Sequence, residues 1–146
     1  RDVLIHALEY YKNNNDHVPD VIILLQPTSP FRKSNHIKDA LKLYSNDIDM
    51  VVSVKETESN PYFVLFEESE NGFLVKSKKG NYTRRQDCPK VWEYNGAIYI
   101  INTKSLEEKN FNQFEIIRKY EMDIFSSIDI DTEFDFLMAK MYIKNA

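Results

Sequence analysis

The chain reads as an α/β protein on a mixed sheet, with an antiparallel excursion near its middle. Three observations predict this. "DVIILLQ" (residues 20–26) is an almost unbroken apolar run, the kind that fits a strand buried on both faces of a parallel sheet. A helix-spaced segment and a second apolar run, "DMVVSV", follow it, completing a strand–helix–strand unit of roughly thirty residues. Between residues 56 and 84 the pattern changes to short strand-like pieces separated by turn residues.

The elements follow in order. Residues 2–14 form a helix, with Leu4, Leu8 and Tyr11 spaced by four and three. It opens the chain without a methionine or a capping residue ahead of it, so the sequence reads as a piece whose N-terminal part is missing. "NNNDHVPD" is a polar loop ended by Pro19, and "DVIILLQ" is the first strand. "PTSPFRKSN" is a loop with two prolines, and "HIKDALKLYS" a helix carrying Ile37, Leu41 and Tyr44, with Ser34 placed to cap it. "DMVVSV" is the next strand. The excursion comprises "PYFVLFEE", "ENG", "FLVKS" and "KKGNY", with Gly72 and Gly80 at its turns. "WEYNGAIYII" is a strand, "TKSLEEK" a short helix and "KYEMDIF" the last strand. "TEFDFLMAKMYIKN" closes as a helix whose Phe134, Leu137, Met138 and Met141 give it one apolar face. No repeat or interdomain linker interrupts this, so residues 1–146 are expected to form a single domain.

Composition narrows the function. The 42% hydrophobic content, with nine Phe and nine Tyr, is enough for one core in 146 residues. A net charge of −4 lacks the basic footprint of nucleic-acid binding. The longest apolar run, "VIILL", is far short of the ~20 residues a membrane span needs. No signal peptide opens the chain, and the single cysteine, Cys88, leaves no internal disulfide, in keeping with a cytoplasmic location.

In an open α/β sheet, ligands bind beyond the carboxyl ends of the strands, and three polar stretches are candidates to surround such a crevice. In "SIDID", Asp129 and Asp131 sit two residues apart, so in extended backbone both carboxylates reach one side. Mg²⁺ is held in this way, by one or two carboxylates together with substrate phosphates. The same stretch also suits a helix start, with Asp131 or Thr132 as cap and Asp135 completing the box. "QPTSPFR" offers Gln26, Thr28, Ser29 and Arg32 in a loop stiffened by Pro27 and Pro30; it is either a rigid loop that positions a hydroxyl-rich ligand or an ordinary proline turn. "TRRQD" places Arg85, with Gln86 beside it, to grip a carboxylate or to lie on a solvated face. "YNGAIY" holds Asn95 and Tyr99, and its Asn-Gly pair is a hairpin-turn signal. The histidines are scattered and form no triad.

In this order, "LLQPTSPFR", "RRQDCPKVWEYNGAIYI" and "SIDIDTEFDF" resemble the acylneuraminate cytidylyltransferases, the CMP-sialic acid synthetases, over residues 21–136. The resemblance implies a nucleotide-diphospho-sugar transferase-like, Rossmann-like fold and a homodimer, with residues 56–84 as the dimerisation arm. It implies CTP and a nonulosonic acid as substrates, with CMP passing to the anomeric hydroxyl and pyrophosphate released. Asp129 and Asp131 would hold Mg²⁺, and Asp131 would also assist deprotonation. Gln26, Thr28, Ser29 and Arg32 would contact the sugar, Arg85 and Gln86 its carboxylate region, and Asn95 and Tyr99 the pocket wall. The family's N-terminal nucleotide-binding signature, Ala-Arg-x-x-Ser, has no counterpart here, so the 146 residues alone are expected to be inactive. Tyr62 and Phe63 stand where sialic-acid members can carry a basic residue, which leaves a legionaminic- or Kdo-type sugar acid as the alternative. An idle sugar-binding or dimerisation fragment is the non-enzymatic reading.

Overall fold

The computed structural model describes residues 1–145. In chain order its elements are α1 (Asp2–Asn14), β1 (Val21–Leu24), α2 (Ser34–Leu41), β2 (Met50–Glu56), β3 (Phe66–Glu68), β4 (Leu74–Lys76), β5 (Trp92–Asn102), α3 (Thr103–Glu108), β6 (Ile117–Glu121) and α4 (Glu133–Asn145). They form two compact units. One comprises Arg1–Val54 and the stretch from Tyr94 onward; the other is Lys55–Glu93, which takes in the expected excursion.

The first unit is built on a four-stranded sheet in the order β1-β5-β2-β6. β1 runs antiparallel to β5, with Val21 opposite Asn102 and Leu24 opposite Tyr99. β2 runs parallel to β6, from Met50 opposite Ile117 to Val54 opposite Glu121. The sheet is therefore mixed, as expected. β5 occupies an inner position, and Ala97, Ile98, Ile100 and Ile101 are wholly buried. Each isoleucine removed from water contributes about 1.5–3 kcal/mol, so β5 is the main apolar spine of the unit. α2 lays Ile37 and Ala40 against Val51, Ile98 and Ile100. Leu41, expected on that face, is exposed, and the small Ala40 occupies the inward position instead.

Three sequence expectations are corrected. β1 is not buried on both faces: its residues are mostly half-buried, it pairs only with β5, and Ile23 is exposed. β1 and β2 are not direct neighbours, because β5 lies between them, which makes the strand–helix–strand unit a split one. The last strand begins earlier than "KYEMDIF", at Ile117, and ends at Glu121.

One acid that the sequence reading passed over organises the far end of this sheet. Asp49, 3% exposed, accepts hydrogen bonds from Ser105 Oγ (2.7 Å), Lys109 Nζ (2.9 Å), Glu115 N (2.9 Å) and Ile116 N (3.0 Å). Burial alone would raise its pKa, but these donors outweigh it and hold the carboxyl well below the usual range. The Lys109 pKa is raised in return, chiefly by the bond to Asp49.

In α4 the expected apolar face exists but points to solvent, with Phe134, Leu137, Met138 and Met141 all exposed. The inward side is formed by Ala139 and Tyr142. The Tyr142 ring packs edge-on against Phe31 (4.9 Å) and stacks on Phe125 (5.1 Å). α2 is capped not by Ser34 but from Lys33, whose backbone N–H donates to His36 Nδ1 at 3.3 Å.

In the second unit β3 and β4 pair antiparallel, Phe66 opposite Lys76 and Glu68 opposite Leu74. Their connection turns at Gly72, whose φ of +77° is the left-handed region that glycine tolerates best. The start of "PYFVLFEE" is a turn rather than a strand. Asn60 Oδ1 accepts from Tyr62 N, and Asn60 O accepts from Phe63 N and Val64 N.

Candidate active site

Three segments of the first unit meet at one end of the sheet: the loop after β1, the Asn95-Gly96 step inside β5, and the turn leading into α4. They are stitched by backbone and side chain alike. Ile130 N donates to Thr28 O at 2.9 Å, and Ser29 Oγ donates to Asp129 Oδ1 at 3.3 Å. Arg32 braces the loop from behind, its Nη1 donating to Gln26 O (3.0 Å) and Ala97 O (2.8 Å).

The Asn-Gly pair does not turn a hairpin. It lies within β5, where Gly96 adopts φ +75°. A Cβ at this position would sit 2.5 Å from Gln26 Oε1 and 2.8 Å from Asp129 Oδ2. Glycine therefore permits two things here, the backbone conformation and the close approach of two polar side chains from different loops.

The "SIDID" ambiguity is resolved by the neighbouring residues. Thr132 and Asp135 form the capping box of α4: Asp135 Oδ2 accepts from Thr132 N (2.8 Å) and Thr132 Oγ1 (2.7 Å), and Thr132 Oγ1 accepts from Asp135 N (3.2 Å). Asp131 contributes only its backbone N–H, which donates to Asp135 Oδ2 at 3.3 Å. Its carboxylate is exposed and engages no donor among the described residues. Asp129 is half-buried, and Ser29 is its one hydrogen-bond donor among the described residues. Neither carboxylate is used to start the helix.

Tyr99 stands close to Asp129. Burial raises its phenol pKa, and the negative charge of Asp129 and the neighbouring Tyr94 add to that, so at neutral pH it is an uncharged donor. Tyr94 and Tyr99 meet edge-to-face at 6.3 Å. With Gln26 they line a cleft of about 360 Å³, otherwise walled by apolar side chains including Leu24, Met50, Ile101 and Phe111. A second cavity, about 320 Å³, lies at the other end of the same strands, beside Asp20, Tyr44 and Thr103.

The structure brings together Gln26, Thr28, Ser29, Arg32, Asn95, Tyr99 and Asp129 in the first unit, with Asp131 two residues along the same turn. Asn95, expected at a pocket wall, is 3% exposed and hydrogen-bonded at both amide ends. Arg85 and Gln86 belong to the second unit, in a 3₁₀ turn, Arg85–Asp87. Both are exposed, and Arg85 Nη2 donates to Glu58 O. The sequence reading missed Ser53 and Ser127, buried hydroxyls on either side of Asn95. A lone serine in a strand or turn carries no spacing signal, and only the fold reveals the partner. It also missed Tyr94, although its alternation with nearby strand residues was visible.

Among the described residues no group of three or more His, Cys, Asp or Glu could form a metal cage. Asp129 and Asp131, two residues apart on one turn, are the acids here that could hold an ion whose remaining ligands come from phosphate and water. Among the described residues no helix is long and apolar enough to cross a membrane.

No family model matches the chain. It is 33% identical over 145 residues to the post-translational flagellin modification protein B of Campylobacter coli, across 99% of this chain and 60% of that protein. It is 40% identical over 140 residues to an N-acylneuraminate cytidylyltransferase of Streptococcus agalactiae serotype V, across 93% of this chain and 32% of that one. A CMP-N,N'-diacetyllegionaminic acid synthase of Campylobacter jejuni is 36% identical over 93 residues, 64% of this chain and 39% of that synthase. The chain thus spans between a third and three-fifths of the length of these relatives. In three dimensions it matches the 4-diphosphocytidyl-2C-methyl-D-erythritolsynthase of Anaerococcus prevotii at a TM-score of 0.63 and 11% identity, over 97% of this chain and 64% of that one. The expected nucleotide-diphospho-sugar transferase fold is the fold observed. The motif resemblance is matched by relatives of the same name over most of the chain.

Proposed function

We propose that this chain is part of a Mg²⁺-dependent cytidylyltransferase that transfers CMP from CTP to the anomeric hydroxyl of a nonulosonic acid. The observation that supports this most directly is the junction at Gly96, where Gln26 and Asp129 approach one backbone position from two loops. Those loops carry two of the three motifs of the resemblance, and Gly96 lies in the third. In the reaction the hydroxyl oxygen forms a bond to the α-phosphorus, the bond from that phosphorus to the β-phosphate oxygen breaks, and pyrophosphate leaves. Asp129 and Asp131 would hold Mg²⁺ against the triphosphate, supplying charge neutralisation. Asp131, whose carboxylate accepts no hydrogen bond among the described residues, would also assist in taking the hydroxyl proton. Gln26 and Tyr99 would orient the sugar from the cleft they line, with Thr28 on the same loop; Ser29, expected to contact the sugar, is 1% exposed and gives its hydroxyl to Asp129 instead. Arg32 holds the loop in shape through two carbonyls. Arg85 and Gln86 are assigned to the sugar carboxylate. The enzyme works in the cytoplasm as a homodimer, with residues 56–84 as the arm that meets the second copy.

A legionaminic-type acid is the second reading for the sugar, favoured by the apolar lining of the cleft. The test is pyrophosphate release by the full-length gene product with CTP, Mg²⁺ and either N-acetylneuraminic or legionaminic acid. Release that needs all three components, and falls at least ~100-fold in Asp129→Asn while the melting temperature holds, supports the proposal. An Asp129→Asn enzyme that melts early but turns over normally would return the acid to a structural role.

A further inference from the structure

We infer that Ser53 and Ser127 are positioning residues for the Asp129 carboxylate, acting through Asn95 as a buried bridge between β2 and the turn before α4. This rests on the reading of Asp129 as a metal-holding group given above. The bridge has a fixed direction, and donor chemistry alone sets it. Ala97 N is a donor, so the atom of Asn95 it meets at 3.2 Å must be Oδ1. Nδ2 then faces Ser127, donating to its Oγ at 2.8 Å. Ile98 N donates to Ser53 Oγ at 2.7 Å, which leaves the single Ser53 proton to Asn95 Oδ1 at 2.6 Å, in preference to the longer contact with Ile98 O at 3.2 Å. The run is thus Ile98 N–H to Ser53, Ser53 O–H to Asn95, and Asn95 N–H to Ser127.

Ser53 is wholly buried, Ser127 is 1% exposed and Asn95 is 3% exposed, so no substrate atom reaches them. Both ends of the Asn95 amide are engaged inside the protein, which makes it a brace. What it braces lies two residues further on. Ser127 fixes one side of Asp129, and the Ile130 N to Thr28 O bond fixes the other. Between these anchors the Asp129 carboxylate meets Ser29 Oγ and passes close to Gly96. A buried hydrogen bond that orients a metal-holding side chain acts on affinity, and its loss typically costs ~10–100-fold.

The experiment compares Ser127→Ala and Ser53→Ala with the parent in the full-length gene product. It reads Mn²⁺ affinity by titration calorimetry, amide exchange by NMR and melting temperature. Mn²⁺ binding should weaken ~10-fold, and exchange at the Ile130 amide should accelerate ~10-fold. The amides of Ile100 and Ile101 should keep their protection in both variants. Lower melting temperatures with parental Mn²⁺ affinity and parental Ile130 exchange would overturn the inference, leaving the serines merely structural. If the parent chain itself binds no Mn²⁺, the metal reading fails, and exchange at Ile130 still decides whether the bridge holds the turn. Should Ser127→Ala fail to fold, Ser53→Ala, which leaves the turn's own residues intact, carries the same two readouts.

Discussion

Replacing Asp49 with alanine should cost the protein about 3 kcal/mol of folding stability. The carboxylate is 3% exposed and gathers four donors within 3.0 Å: one hydroxyl, one ammonium and two backbone amides. Breaking a buried charged network by removing one partner typically costs about 3–5 kcal/mol. The lower end applies here, because Glu115 and Ile116 are exposed residues and water can reach their freed amides. At roughly 2–4 °C per kcal/mol for a chain of this size, the melting temperature should fall by roughly 6–12 °C. Asp49→Asn keeps one acceptor oxygen and should lose about half as much. The pH dependence is the sharper check. The folded pKa of Asp49 lies below its unfolded value, so its contribution is complete above about pH 4 and is lost as the pH falls toward the folded value. The folded pKa of Lys109 lies above its unfolded value, so its share is present at neutral pH and is lost as the pH rises through that folded value. Urea denaturation followed by circular dichroism should show a constant gap between parent and Asp49→Asn at pH 5–7, closing below about pH 4. A gap that stays flat down to about pH 2.5, or an Asp49→Ala loss under about 1 kcal/mol, would refute this account.

Other outcomes follow from named contacts. Gly72→Ala and Gly96→Ala share a positive φ, worth about 1–2 kcal/mol to an L-residue. Only at Gly96 does the new methyl collide, with Gln26 and Asp129, so thermal melts should show the larger loss there, and Mn²⁺ titration should show weakened binding in that variant alone. Thr132→Ala should cost about 1 kcal/mol by loss of the α4 cap, read by thermal melts, while leaving Mn²⁺ affinity within about twofold, since neither carboxylate proposed to hold the metal takes part in the cap. Tyr99→Phe should leave folding intact and, in the full-length gene product, raise the KM for the proposed sugar acid more than it lowers kcat, because Tyr99 lines the cleft proposed to hold that sugar.

Periodicity recovered most of the elements, because α1, α2 and α4 and the apolar strands obey spacings that local sequence records. It failed where partners are distant. The run 21–25 is followed by α2 and β2, yet its partner is β5, a strand some eighty residues further on. The Asn-Gly pair has the composition of a hairpin, but the same positive φ serves close approach inside a strand. Asp129, Gln26 and Ser29 were legible as candidates, since polar loops after strands are few in this chain. Ser53, Ser127 and Asp49 were not legible, since each is an isolated polar residue whose meaning is its burial beside another polar group. The cap shows the limit most clearly: Asp131 and Thr132 were equal candidates from spacing, and hydrogen-bond geometry selected Thr132.

The unit Lys55–Glu93 interrupts the first unit between two strands that are neighbours in its sheet, β2 and β5. Before those strands can pair, roughly forty residues of chain must be closed into a loop. The Jacobson–Stockmayer relation puts that at about 2 kcal/mol more than a five-residue connection would need. Such non-local closure slows folding more than it lowers stability. Replacing the insertion with a short turn should therefore speed refolding of the first unit. The bridge that joins β2 to the turn before α4 can form only after this closure, so the arrangement around Asp129 should be among the last features of the sheet to mature.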